Sequence, residues 1–149
     1  MINLETLDRP ADQLPGDSVV VLFFEDVRPL AGPAGLLDWR LNGQLTKMLL
    51  DRKVIGLAGE QVVLQNNGKL RADWVLFVGG GKWHGLCRET YAALIKRMLT
   101  TADQAGFKDV SLCLSPTLEA DAQYLAKQMR ENLKKSIQTL GACRLSCND

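Results

Sequence analysis

Apolar positions along this chain recur in blocks with two different periods. Val19 to Glu25 is a continuous β-branched and aromatic run. That is the pattern of a strand buried on both faces of a parallel or mixed sheet. Asp26 to Gly35 carries Pro29, Gly32, Pro33 and Gly35 and reads as a loop. Leu37, Leu41, Leu45, Met48 and Leu49 then recur at helical spacing and predict one helix over about residues 34–51. Glu60 to Gln65 predicts a short strand, and Asn66-Asn67-Gly68 a turn. Trp74 to Val78 predicts a second buried strand, which runs straight into Gly79-Gly80-Gly81-Lys82.

The second half repeats the alternation. Tyr91, Leu94, Ile95, Met98, Leu99 and Ala102 form one face of an amphipathic helix that Gly106 ends. Val110 to Leu114 predicts a third buried strand. Ser115 and Pro116 predict a helix start, with serine as N-cap and proline at the first helical position. Its apolar face continues through Ala122, Leu125, Ala126, Met129, Leu133, Ile137 and Leu140 to Gly141. Cys143, Leu145 and Cys147 alternate as a closing strand over Cys143–Cys147. Residues 1–17 are polar, with Pro10, Pro15 and Gly16, and read as an N-terminal arm before one domain over 18–149. Strands alternating with helices predict an α/β fold, a mixed sheet flanked by helices in three layers.

Composition narrows the function classes. The 149 residues suit one domain with a full core. Eighteen basic and seventeen acidic residues leave a net charge of +1, which advertises neither a nucleic acid nor a membrane surface as partner. Lys127, Arg130 and Lys134 share one helix face, but Glu131 lies alongside and a solvated face explains them. The run Val19–Phe24 is too short to cross a membrane, and the N-terminus has no apolar signal region. Four cysteines at 87, 113, 143 and 147 make no C-x-x-C pair, so they read as free thiols and the expected compartment is the cytoplasm. The single histidine, His84, excludes a multi-histidine metal site within one chain. No metal or cofactor is expected.

One segment carries candidate chemistry. A glycine loop between a buried strand and a helix can bring backbone N–H groups close to a phosphate. Gly79, Gly80, Gly81 and Lys82 are the candidate phosphate loop, with Trp83 or His84 beside a nucleobase. The loop matches neither G-x-G-x-x-G nor G-x-x-x-x-G-K-[ST], and the glycines' permissive backbone explains the turn without a ligand. His84 as a general base lacks a nucleophile or carboxylate partner in the sequence pattern, so no catalytic residue is assigned. Cys87 opens the following helix, and a buried inert thiol is the better reading there than a reactive one.

The stretch from Asp17 to Pro116 resembles the N-terminal domain of the M17 leucyl aminopeptidase family. The resemblance rests on the strand VVVLFFED, the Leu-rich helix and the Gly59-Glu60 strand start. It rests further on VLFVGGGKWHGLCRETYAALIKRMLTTADQAGFKDVSLCLSP, which looks like that domain's strand, Gly-x-Gly-Lys turn, long helix and following strand. The resemblance implies a macro-domain-like fold. It also implies that metal ligands and catalytic residues belong to a second domain, none of whose motif is present here. The expectation is a non-catalytic accessory or interaction domain acting in oligomer assembly or regulation. Its partners would be a second copy of itself or another protein chain. The alternatives are a nucleotide or ADP-ribose-like binding module using the Gly79–Lys82 loop, and a small hydrolase dependent on His84.

Overall fold

A computed structural model describes residues 3–135 and 140–148. The elements are β1 (Leu4–Leu7), a 3-10 turn (Ala11–Gln13), β2 (Ser18–Phe23), α1 (Gly32–Arg40), α2 (Gln44–Leu50), β3 (Gln61–Gln65), β4 (Trp74–Gly79), α3 (Arg88–Gln104), β5 (Asp109–Cys113), α4 (Ala122–Lys135) and β6 (Ala142–Ser146). They build one six-stranded sheet in the order β1-β6-β5-β2-β4-β3. All neighbours are parallel except β3, which returns antiparallel on β4.

The uninterrupted apolar run of β2 follows from its central place, since all six of its residues are buried. Alternate side chains serve opposite layers. Val20 and Leu22 join Leu76 and Val78 under α3 and α4, with Ile95, Met98 and Met129. Val19, Val21 and Phe23 join Val75 and Phe77 under α1 and α2, with Leu37, Leu41 and Leu45. These two cores on one mixed sheet are the three-layer architecture that the sequence predicts.

Three expectations need correction. The helix expected over 34–51 is two helices. Asn42 and Gly43 take φ of 60° and 73° between them, and the buried Asp38 carboxylate accepts the Leu45 N–H (2.7 Å) and Thr46 N–H (3.2 Å) to cap α2. The break is tight enough that Leu37, Leu41 and Leu45 still face one core, so their spacing looked continuous.

The helix expected to open at Ser115-Pro116 starts at Ala122. The Ser115 carbonyl accepts the Tyr91 hydroxyl (2.7 Å), Thr117 closes a local turn with Ala120, and Asp121 caps α4 by accepting the Tyr124 N–H (2.9 Å). Finally, the segment expected as an arm contributes to the sheet. Leu4–Leu7 pairs parallel with β6, and Ala11 and Leu14 are buried in the α1 core. So β6, expected to close the sheet, lies one strand inside the edge. Ile137 lies outside the described residues.

Candidate functional site

The carboxyl ends of β2, β4 and β5 lie side by side, and the loops that leave them surround a cavity of ≈ 290 Å³. Such strand ends are where open α/β sheets hold ligands. The β2 loop contributes Phe24, Val27 and Leu30, and the start of α1 contributes Gly32 and Pro33. The β4 loop contributes Trp83, and the β5 loop Ser115 and Pro116. The Phe24 and Trp83 rings meet edge to face with centroids 5.2 Å apart. The lining carries no charged side chain, so the cavity suits an aromatic or aliphatic group.

Two carboxylates fix the loops. Asp26, just past β2, accepts the N–H groups of Trp83 (2.8 Å) and His84 (3.0 Å), and the His84 ring Nδ1 lies 2.7 Å from it. These bonds, led by the His84 N–H, hold the Asp26 carboxyl well below the usual carboxylate range. Glu60, at the start of β3, accepts three successive N–H groups, from Ile55 (2.9 Å), Gly56 (2.6 Å) and Leu57 (2.8 Å). Burial pushes its pKa up, but the three N–H bonds outweigh burial and leave the carboxyl below its ordinary value.

The glycine loop is threaded between these two anchors. Gly79 donates its N–H to Glu60, Gly80 to Phe23 and Gly81 to Gly56, each at 2.8 Å, and the Gly81 carbonyl accepts the Glu25 N–H. No N–H of the three glycines is left for a phosphate. Glycine is required here by close approach. A Cβ on Gly79 would sit 2.0 Å from the Leu57 carbonyl oxygen, and one on Gly80 2.4 Å from the Phe24 ring. Of the six residues singled out from the sequence, Trp83 reaches the cavity wall, whereas Gly79, Gly80 and Gly81 lie outside the lining and pair their N–H groups with the carbonyls of Glu60, Phe23 and Gly56. Lys82 and His84 are exposed and stand outside the lining.

Sequence reasoning missed Asp26 and Phe24, which the structure brings against the loop from fifty-odd residues away. The available signal was the acid-bearing end of the buried run, Phe24-Glu25-Asp26. Asp26 supplies the carboxylate partner that His84 lacked in the sequence. Cys87 does stand at the N-cap of α3, and its thiol lies 3.1 Å from the Thr90 hydroxyl. Among the described residues, no group of His, Cys, Asp and Glu side chains could hold a metal ion, and no helix is long and apolar enough to cross a membrane.

A family model described as the cytosol aminopeptidase family, N-terminal domain, matches residues 20–138. A probable cytosol aminopeptidase of Nitrosomonas eutropha is 33% identical over 100 residues, covering 67% of this chain and 20% of that protein. One from Idiomarina loihiensis is 28% identical over 122 residues, covering 82% and 24%. The chain therefore spans about a fifth of the length of the curated relatives it matches.

Solved structures share the fold. A tomato leucine aminopeptidase mutant superposes with a TM-score of 0.73 at 18% identity, over 98% of this chain and 32% of that one. The macrodomain of Thermus aquaticus DarG gives 0.70 at 11%, over 98% and 99%. A Trypanosoma brucei macrodomain in complex with ADP-ribose gives 0.71 at 18%, over 99% and 64%.

Proposed function

The chain belongs to the cytosol aminopeptidase family through that family's N-terminal domain, and we propose that it works as a non-catalytic interaction domain, in oligomer assembly or regulation. The observation that carries this reading is the internal use of the loop donors. Gly79, Gly80 and Gly81 spend their N–H groups on backbone carbonyls, so the segment best placed to bind an anion is committed to holding the fold. The described residues bring together no metal-capable cluster, and His84 and Asp26 have no nucleophile assigned beside them. What remains at the strand ends is an uncharged cavity suited to an apolar side chain of a protein partner.

A second reading has one observation in its favour. The Phe24–Trp83 pair lines a cavity in a fold shared with a macrodomain that holds ADP-ribose, and aromatic walls suit a nucleobase. In that case the base, and not the phosphates, would carry the affinity.

Thermal unfolding in the presence of ADP-ribose, AMP, inorganic phosphate and divalent metals separates the two. A ligand at about 100 times its Kd stabilises by roughly 2.7 kcal/mol, on the order of 5–10 °C for this size. A flat panel together with a mass that rises with protein concentration, or with a captured partner chain of defined stoichiometry, is the expected result. A nucleotide-specific shift lost in Trp83→Ala overturns it in favour of the second reading.

A further inference from the structure

Strand β3 ends the sheet, with β4 on one side and, among the described residues, no strand on the other. Its pairing fixes which backbone groups are open. Asn66 donates its N–H to Asp73, and Gly79 donates to Glu60. In the register Gln61↔Val78 to Gln65↔Trp74, residues 60, 62, 64 and 66 therefore bond to β4, because hydrogen-bonded pairs alternate in an antiparallel ladder. Gln61, Val63 and Gln65 point their N–H and C=O groups the other way. Each of these three is exposed, Val63 at 44%, with Trp74 beside them on the same sheet face at 37%.

Natural edge strands guard such a row with lysine, proline or a bulge. The opposite edge, β1, carries the exposed Glu5 and is followed by Asp8, Arg9 and Pro10. β3 reads Gln-Val-Val-Leu-Gln, with no charge and no proline, and pairs with β4 in an unbroken register.

We propose that β3 is the docking surface for a second copy of this chain, pairing antiparallel with the β3 of that copy across a two-fold axis at Val63. The occupant follows from the strand itself. An antiparallel two-fold places each residue against its mirror position, here Gln61 against Gln65, Val63 against Val63 and Gln65 against Gln61. A strand with a charge near its centre would set that charge against itself. This near-palindromic strand sets amide against amide and a β-branched side chain against its like, a favourable cross-strand pair. The three open donors and three open acceptors of each copy then close six interchain hydrogen bonds. The two sheets join into one of twelve strands, and Val63 and Trp74 gain cover at the junction. The inference rests on the interaction-domain reading and names its partner.

Light scattering of the purified chain at rising concentration, repeated with Val63→Lys and Val63→Glu, tests it. The wild type is expected to approach twice 16.4 kDa. Each variant alone should stay monomeric, with the unfolding midpoint of wild type diluted until it too is monomeric, because the Val63 side chain is exposed and only the dimer's mass-action stabilisation is lost. The two variants mixed should recover the dimer by pairing lysine with glutamate. A dimer that persists in Val63→Lys overturns the β3 pairing and leaves self-association standing through another face. A wild type that stays monomeric at high concentration overturns the pairing as well, and leaves the interaction reading to a different protein chain.

Discussion

The Asp26 carboxylate grips His84 twice, accepting its backbone N–H at 3.0 Å and lying 2.7 Å from its ring Nδ1. One acid thereby pins the β4 loop to the β2 loop across fifty-eight positions of sequence. The side chain that looked like a candidate base is exposed at 82%, yet the same carboxylate holds both its ring and its main chain. The His84–Asp26 pair is therefore first a clasp between loops.

That clasp has a defined pH dependence. The Asp26 pKa lies below its ordinary value of 3.8 in the folded protein. The unfolded chain takes up the proton first as pH falls, so the contribution of Asp26 is complete above about 3.8 and is lost progressively below it. Glu60 adds a loss of the same sign below its ordinary 4.5. Urea midpoints at pH 6 and pH 3 should therefore differ less in Asp26→Asn, which cannot titrate, than in the wild type. Parallel shifts in the two proteins would show that the clasp contributes nothing.

Gly79→Ala should destabilise strongly. The new Cβ meets the Leu57 carbonyl oxygen at 2.0 Å, a backbone atom that cannot swing aside. Overpacking of this kind costs about 1–3 kcal/mol and often more when backbone must move. Gly81→Ala meets only the Ala58 Cβ at 4.0 Å, but its φ of +76° leaves a strain of about 1–2 kcal/mol. Denaturant unfolding should rank Gly79→Ala as the costlier of the two. Equal losses would mean that backbone conformation, and not the approach of Leu57, selects glycine at both. Gly80 cannot serve as a clean binding probe either, because its substitution drives into the Phe24 ring.

The buried strands were legible because a central strand needs apolar side chains on both faces, and Val19–Phe23 and Val75–Val78 have them. The edge strand β1 was not, since Leu4 and Leu7 are half-buried and Glu5 and Thr6 face water. The α1–α2 break was hidden because Asn42 and Gly43 reverse the chain within the helical period of the leucines. At the site, the glycine turn was visible but its purpose was not. Whether an N–H is free depends on a carbonyl brought from Phe23 or Gly56, and sequence spacing does not record that.

Asp38→Ala tests the helix break. The carboxylate is 6% exposed and caps α2 through Leu45, Thr46 and the Thr46 hydroxyl. Asp38 does for the first N–H groups of α2 what an N-cap side chain does, and losing such an acceptor costs about 1–2 kcal/mol; here the Leu45 N–H is left without its partner in a buried position. Thermal unfolding should show a loss in that range. A change below about 0.5 kcal/mol, the usual range for neutral surface substitutions, would mean that Gly43 and the leucine packing define the break without Asp38.

Glu60→Ala should be felt beyond the residues it bonds. It frees the N–H groups of Ile55, Gly56 and Leu57. Water can replace the carboxylate at the exposed Ile55 and Leu57, so the cost is about 1–2 kcal/mol and not three full hydrogen bonds. Gly56, however, also accepts the Gly81 N–H, and Gly81 in turn accepts Glu25, the neighbour of Asp26. Loosening 55–57 should therefore loosen the glycine loop at Gly81. Hydrogen exchange should speed up at the Gly81 and Glu25 amides together with those of 55–57, and Glu60→Gln, which keeps one acceptor oxygen, should show the smaller effect. Unchanged protection at Gly81 would mean that the two carboxylate anchors hold their loops independently, and that the glycine loop does not depend on Glu60.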